Sequence, residues 1–155
     1  MPAETGTITV NADKIFPIIK QSLYPHREVF LREAISNATD ALSRFQFLSL
    51  RDSTLGEGNE ELRVDIRTDK VARTLSIEDN GDGMTRDEVK TNINEVAFSG
   101  TQKFLETYKP DIKMIGFFGL GFYSIFMVAK EAWLETKSYK TDADACKWSS
   151  KGDGR

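Results

Sequence analysis

Glu33, Asn37 and Asp40 fall at i, i+4 and i+7 of a segment with helical periodicity, so their side chains share one narrow stripe. Helical-wheel arithmetic sets that stripe about 100° from the centre of the apolar face, at the edge of the core. Two carboxylates and an amide there are costly unless something pairs with them. An ordinary amphipathic helix with polar boundary residues would show the same stripe. Asp79 ends a strand pattern, and counting by two from Leu75 and Ile77 puts its carboxylate on the apolar side. Asn80-Gly81-Asp82-Gly83-Met84 follows, where glycine lets the backbone turn and lets a ligand approach the main chain. An acceptor beside such backbone suits a donor such as an exocyclic amine, although Asp-Asn-Gly is also common turn chemistry. Gly116, Gly119 and Gly121 precede an apolar segment opening at Phe122. Glycines ahead of a helix N-terminus expose N–H groups to an anion, or serve only as a flexible joint. Their spacing is neither the G-x-G-x-x-G fingerprint nor a Walker A loop.

The elements that must position these residues follow from periodicity. Thr5 to Val10 reads as a strand, and Asn11 caps a helix carrying Ile15, Ile18 and Ile19. A longer helix runs from about Arg27 to Leu50, with Phe30, Ala34, Ala38, Ala41, Phe45 and Leu48 as its apolar face. Asp52 to Asn59 is a loop by composition. Leu62, Val64 and Ile66, then Leu75 and Ile77, predict two antiparallel strands joined around Asp69–Lys70. Thr85 with Glu88 forms a capping-box pattern. Asn94 to Lys113 reads as polar, irregular and mobile, Phe122 to Ala129 as a buried helix, and Ala132 to Ser138 with Ala145 to Ser149 as a final hairpin.

Composition bounds the function. The 155 residues fit one domain, 39% of them are hydrophobic, and 21 basic residues face 24 acidic ones for a net charge of −3. That balance argues against a nucleic-acid or anionic-membrane surface. The longest apolar run, Ile115 to Ala129, carries glycines and falls short of a bilayer span. With one cysteine, Cys146, and one histidine, His26, an internal disulfide and the usual zinc sites are excluded. The amino end shows no secretory pattern, which points to the cytoplasm.

Glu-x-x-x-Asn-x-x-Asp-Ala at 33–41, Asp-x-Gly-x-Gly at 79–83 and Gly-x-x-Gly-x-Gly at 116–121 together resemble the Bergerat (GHKL) nucleotide-binding pattern. The contexts Glu28 to Leu42, Ser99-Gly-Thr101 and Met114 to Ser124 resemble, within that superfamily, the amino-terminal domain of heat shock protein 90 chaperones. The resemblance implies an α+β two-layer sandwich, a mostly antiparallel sheet covered on one face by helices, lacking its C-terminal strands. It implies that residues 1–155 form an incomplete ATP/ADP-binding domain, with a lid over about 94–113. Glu33 would be the general base, tuned by Arg32, and Asn37 would hold Mg2+ bridging the phosphates. Asp40 and Ala41 would line the pocket, and Asp79 would accept from the adenine amino group, with Gly83 and Met84 against the base. Asn92, Ser99, Gly100 and Phe122 would contact the nucleotide, and Gly116, Phe118, Gly119 and Gly121 would hold the phosphates.

This sequence departs from that family at four positions. Phe98 replaces a phosphate-facing lysine, Phe117 a glutamine, Asn94 a lid glycine, and Asp82 an apolar residue behind the adenine pocket. Burying Asp82 unpaired would cost several kcal/mol. The family's γ-phosphate arginine comes from a later domain, so ATP hydrolysis by this chain alone is expected to be very slow or absent. The implied partners are adenine nucleotide, client proteins, co-chaperones and a second copy through Thr7 to Val10, a homodimer. The alternative is a nucleotide-independent module that binds chaperone or co-chaperone partners.

Overall fold

A computed structural model describes residues 26–56, 61–94, 100–109, 113–116 and 121–152. The expected strand at 5–10 and the helix starting at Asn11 lie outside these residues. The described elements run α1 (Val29–Ser49), β1 (Val64–Asp69), β2 (Thr74–Asp79), α2 (Arg86–Asn94), α3 (Gly100–Tyr108), a 3₁₀ segment (Gly121–Met127), β3 (Ala132–Thr136) and β4 (Cys146–Ser150). This is an α+β arrangement whose described strands pair antiparallel in two separate ladders, β1 with β2 and β3 with β4.

No glycine or proline interrupts the segment that forms α1, and its alanines favour the helix. Ala38, Ala41 and Leu48 are buried, while Phe30, Ala34 and Phe45 are half-buried. The helix ends where Asp52 takes over: its N–H donates to Leu48 O, and its Oδ1 accepts from the N–H and hydroxyl of Thr54. The residues expected as a plain loop thus begin with a 3₁₀ turn, Ser53–Gly56.

The β1–β2 hairpin pairs Val64 with Asp79, Ile66 with Ile77 and Asp69 with Thr74. Its turn is held by Asp69 Oδ1, which accepts from the N–H groups of Val71 and Ala72, with Arg73 at positive φ. Asn80 closes the other end, accepting from Arg63 N–H and donating to Glu61 O. In the second hairpin Ala132 faces Ser150 and Thr136 faces Cys146.

Two segments differ from the sequence expectation. The stretch expected to be irregular contains α3, an amphipathic helix whose Thr101 and Phe104 are buried and whose Leu105 and Tyr108 are half-buried. Phe104 packs with Leu48 and Met114, and its ring meets Phe47 at 5.7 Å and Tyr108 at 4.8 Å. The i, i+3, i+4, i+7 spacing of those four residues is the signal, partly hidden by polar neighbours. The apolar segment after Gly121 is a 3₁₀ helix rather than a buried α-helix, and only Ser124 in it is fully buried. Ser124 Oγ donates to the carbonyl of Gly121 at 2.6 Å, and Tyr123 OH to that of Ile93. A hydroxyl bonding three residues back, in a run of aromatic and β-branched side chains, favours the tighter turn.

The capping box of α2 forms as expected. Thr85 N–H donates to Glu88 Oε2 at 2.8 Å, and Glu88 N–H to Thr85 Oγ1 at 3.2 Å. Lys140 Nζ reaches the other Glu88 oxygen at 2.9 Å, tying α2 to the segment after β3. Burial alone would raise the Glu88 pKa, but the Thr85 and Lys140 hydrogen bonds outweigh it and hold the carboxyl below its ordinary value. A depressed carboxylate contributes stability above its unfolded pKa, and the contribution is lost as pH falls through the folded one. Glu88→Gln should therefore lower the melting temperature at pH 7, and the deficit should vanish on acidification below the ordinary glutamate range of roughly 4.3. Melting curves of both chains from pH 7 to pH 3 check this.

Candidate functional site

The polar stripe of α1 is the spine of the site. Asp40 is 2% exposed, so it lies inside the core rather than at its edge. Its two oxygens accept the N–H groups of Ile115 and Gly116 at 2.8 and 2.7 Å. Those two hydrogen bonds satisfy a buried charge and pin the start of the glycine segment to α1. One turn earlier, Asn37 is exposed, with its amide oxygen facing Gly116. A Cβ on Gly116 would stand 3.3 Å from both Asn37 Oδ1 and Asp40 Oδ2, so only glycine leaves that space open. Glu33 is half-buried, 3.6 Å from the Arg32 guanidinium, and a Cβ on Gly121 would overlap its carboxylate. The 3₁₀ segment packs along α1 beside it.

The turn after β2 is held from both sides. Asp82 N–H donates to Ala41 O on α1, and Asp82 O accepts from Tyr139 N–H after β3. Met84 N–H donates to Thr136 Oγ1 at 3.0 Å. Gly81 presses on the backbone of Ala41, where a Cβ would lie 2.6 Å from a carbonyl carbon. Gly83 takes a φ of 58° against the Lys137 carbonyl. Asp79 Oδ1 accepts the Gly81 N–H at 2.9 Å. The residue is exposed, yet the protein around its carboxyl raises the pKa, against the pull of Gly81 N–H and Arg44. Solvent still reaches this acceptor, while protein displaces part of its water.

The feared unpaired charge at Asp82 is paired. Arg44 grips both its oxygens, at 2.7 and 3.0 Å, and also donates to Thr101 Oγ1 at 3.3 Å. Desolvation still raises the Asp82 pKa, with Arg44 opposing it. Arg44 escaped the sequence reading, although it continues the Glu33–Asn37–Asp40 stripe and Asp82 demanded a cation. Asn92 abuts Gly100 and donates weakly to Met84 Sδ at 3.8 Å. Phe122 stacks edge-on against Trp148 at 5.4 Å. Ser99, Phe118 and Gly119, with the substitutions Phe98 and Phe117, lie outside the described residues, and for Asn94 only the backbone is described, as the last residue of α2.

Glu33, Asn37 and Asp40 thus share one helix, with the Asp79 turn packed on it at Ala41 and glycine backbone against the same stripe, in an arrangement of helix and sheet. Residues 25–151 match the family of histidine kinase-, DNA gyrase B- and HSP90-like ATPases, and the chain belongs to it. Within it the similarity runs to the heat shock protein 90 branch. The chain is 48% identical over 151 residues to the chaperone protein HtpG of Porphyromonas gingivalis, covering 97% of this chain and 22% of that protein. It is 43% identical over 156 residues to HtpG of Hydrogenovibrio crunogenus, 97% of this chain and 25% of that one. With HtpG of Bacteroides thetaiotaomicron the identity is 46% over 151 residues, 96% of this chain and 22% of the relative. The chain thus spans about a quarter or less of the length of these curated relatives.

Gly81→Ala tests how closely the turn rests on α1. Overpacking of this kind costs roughly 1–3 kcal/mol. Urea denaturation should show a loss of that size, since the Cβ would press on Ala41 backbone rather than on a flexible side chain.

Proposed function

We propose that this chain is an adenine-nucleotide-binding domain of an HtpG-type, heat shock protein 90 chaperone. The observation that carries the reading is the joint geometry of α1: Asp40 fixes the glycine segment beside Asn37 and Glu33, and Ala41 seats the Asp79 turn. Asp79 accepts the adenine amino group, Gly83 and Met84 lie against the base, and Asn92, Ser99, Gly100 and Phe122 contact the remainder of the nucleotide. The N–H groups of the segment from Gly116 to Gly121, Phe118 and Gly119 included, hold the phosphates.

Among the described residues no group of three His, Cys, Asp or Glu side chains is gathered as a metal site. One exposed amide oxygen, on Asn37, fits a magnesium ion that arrives with the nucleotide, because the phosphates supply the other donors. Bound there, magnesium neutralises charge on the phosphates. Glu33 takes the proton of the attacking water, with the Arg32 guanidinium 3.6 Å away to orient it. The arginine that the family supplies from a following domain is not among these residues, so turnover by this chain alone is very slow. Losing one such electrostatic contact costs on the order of 10²–10³ in rate.

Client proteins, co-chaperones and a second copy engaged through residues 7–10 are the partners this reading carries over from the chaperone family, and the cytoplasm is its compartment. No helix among the described residues is long and apolar enough to cross a membrane. Nothing among those residues favours the nucleotide-independent alternative.

Calorimetric titration with ADP, with and without magnesium, tests the reading. The chain should bind, and Asp79→Asn should weaken binding roughly tenfold to a hundredfold, the worth of a hydrogen bond to a charged group. Asn37→Ala should remove most of the magnesium dependence while leaving magnesium-free binding unchanged. A chain that melts cooperatively yet takes up no ADP overturns the reading.

A further inference from the structure

Arg44 sits eleven residues after Glu33, within about 20° of it on the helical wheel, so it belongs to the same stripe of α1. Its guanidinium and the Asp82 carboxylate are both largely withdrawn from water, at 17% and 13% side-chain exposure. Two oxygens taken by two nitrogens form the planar, bidentate contact that fixes orientation as well as distance. The third nitrogen reaches Thr101, which is buried at the first turn of α3. One side chain therefore joins three pieces: α1, the turn that follows Asp79, and α3. A buried ion pair often stabilises a fold no more than apolar residues of the same volume would. What this pair adds over an apolar filling is a directed link.

We propose that Arg44 is a positioning residue of the nucleotide site: by spanning Asp82 and Thr101 it fixes the turn beside Asp79 and the first turn of α3 in one arrangement on α1. Its consequence for ligand affinity rests on the nucleotide-binding reading; the link itself does not. Gly100, at the head of α3, is held close against Asn92, so a loosened α3 also loosens the Asn92 wall of the site. Arg44 touches no ligand in this scheme and acts only through the groups it orients.

Thr101→Val keeps the ion pair and removes the link. The double variant Arg44→Met with Asp82→Ile removes both charges while filling the space. Amide exchange at Phe104 and Leu105, whose N–H groups close the first turn of α3, reads the link, and ADP titration reads the site. Both variants should melt within a few degrees of the parent chain. Both should exchange those two amides roughly tenfold faster and bind ADP about threefold to tenfold more weakly, the scale of one ordinary hydrogen bond, because Arg44 acts on the ligand only through the groups it orients. Parent-like exchange in both variants overturns the proposal, because the pair then only compensates charge. Faster exchange with unchanged ADP affinity also overturns it, since the link would not reach the site. Faster exchange in a chain whose parent form binds no ADP supports the link and overturns the nucleotide reading instead.

Discussion

The Asp40 carboxylate, buried and accepting two main-chain N–H groups, is the contact on which the rest of the site depends. A charge so far from water persists only where donors replace its hydration, and here the donors belong to a segment 75 residues away in sequence. The bond therefore does two things together. It satisfies α1 internally, and it sets where the glycine segment begins. Asn37 and Glu33, one and two turns earlier on the same stripe, then face Gly116 and Gly121 because the helix fixes their spacing.

The same helix organises the turn after β2 by contact rather than by charge. Ala41, next to Asp40, is small enough for Gly81 to rest on its backbone and for Asp82 N–H to reach its carbonyl. Nothing larger than hydrogen fits between them. Further along, Leu48 and Phe47 receive α3, so a single helix carries Glu33, the start of the glycine segment, the turn after Asp79 and α3. Arg44 lies between the last two and is bonded to both. The β3–β4 region closes the turn from the other side through Thr136, Lys137 and Tyr139.

Much of this was legible in the sequence, and the reasons differ by element. The extent of α1, the two hairpins and the Thr85–Glu88 box are local: periodicity, alternation and side-chain reach decide them. Asp40 was recognised as a polar residue needing a partner, but its depth could not be read, because the N–H groups that bury it come from Ile115 and Gly116. Asp82 looked like a defect for the same reason, since its compensation lies 38 residues earlier in Arg44. The helix α3 was missed because half its face is Gln, Lys, Glu and Thr, and its ordering depends on an aromatic cluster with Phe47. The apolar run after Gly121 suggested an α-helix by hydrophobicity alone, whereas the Ser124 hydroxyl and the aromatic side chains tighten it to 3₁₀.

The most direct test of this account is amide exchange at Ile115 in the parent chain and in Asp40→Ala, with the Asp82 amide as internal reference. The account predicts slow exchange at Ile115 in the parent chain and exchange at least roughly tenfold faster in the variant, the worth of a charge-assisted hydrogen bond, with the Asp82 amide, bonded to Ala41, unchanged. Equal protection of Ile115 in the two chains would contradict it, because the glycine segment would then be placed by something other than Asp40.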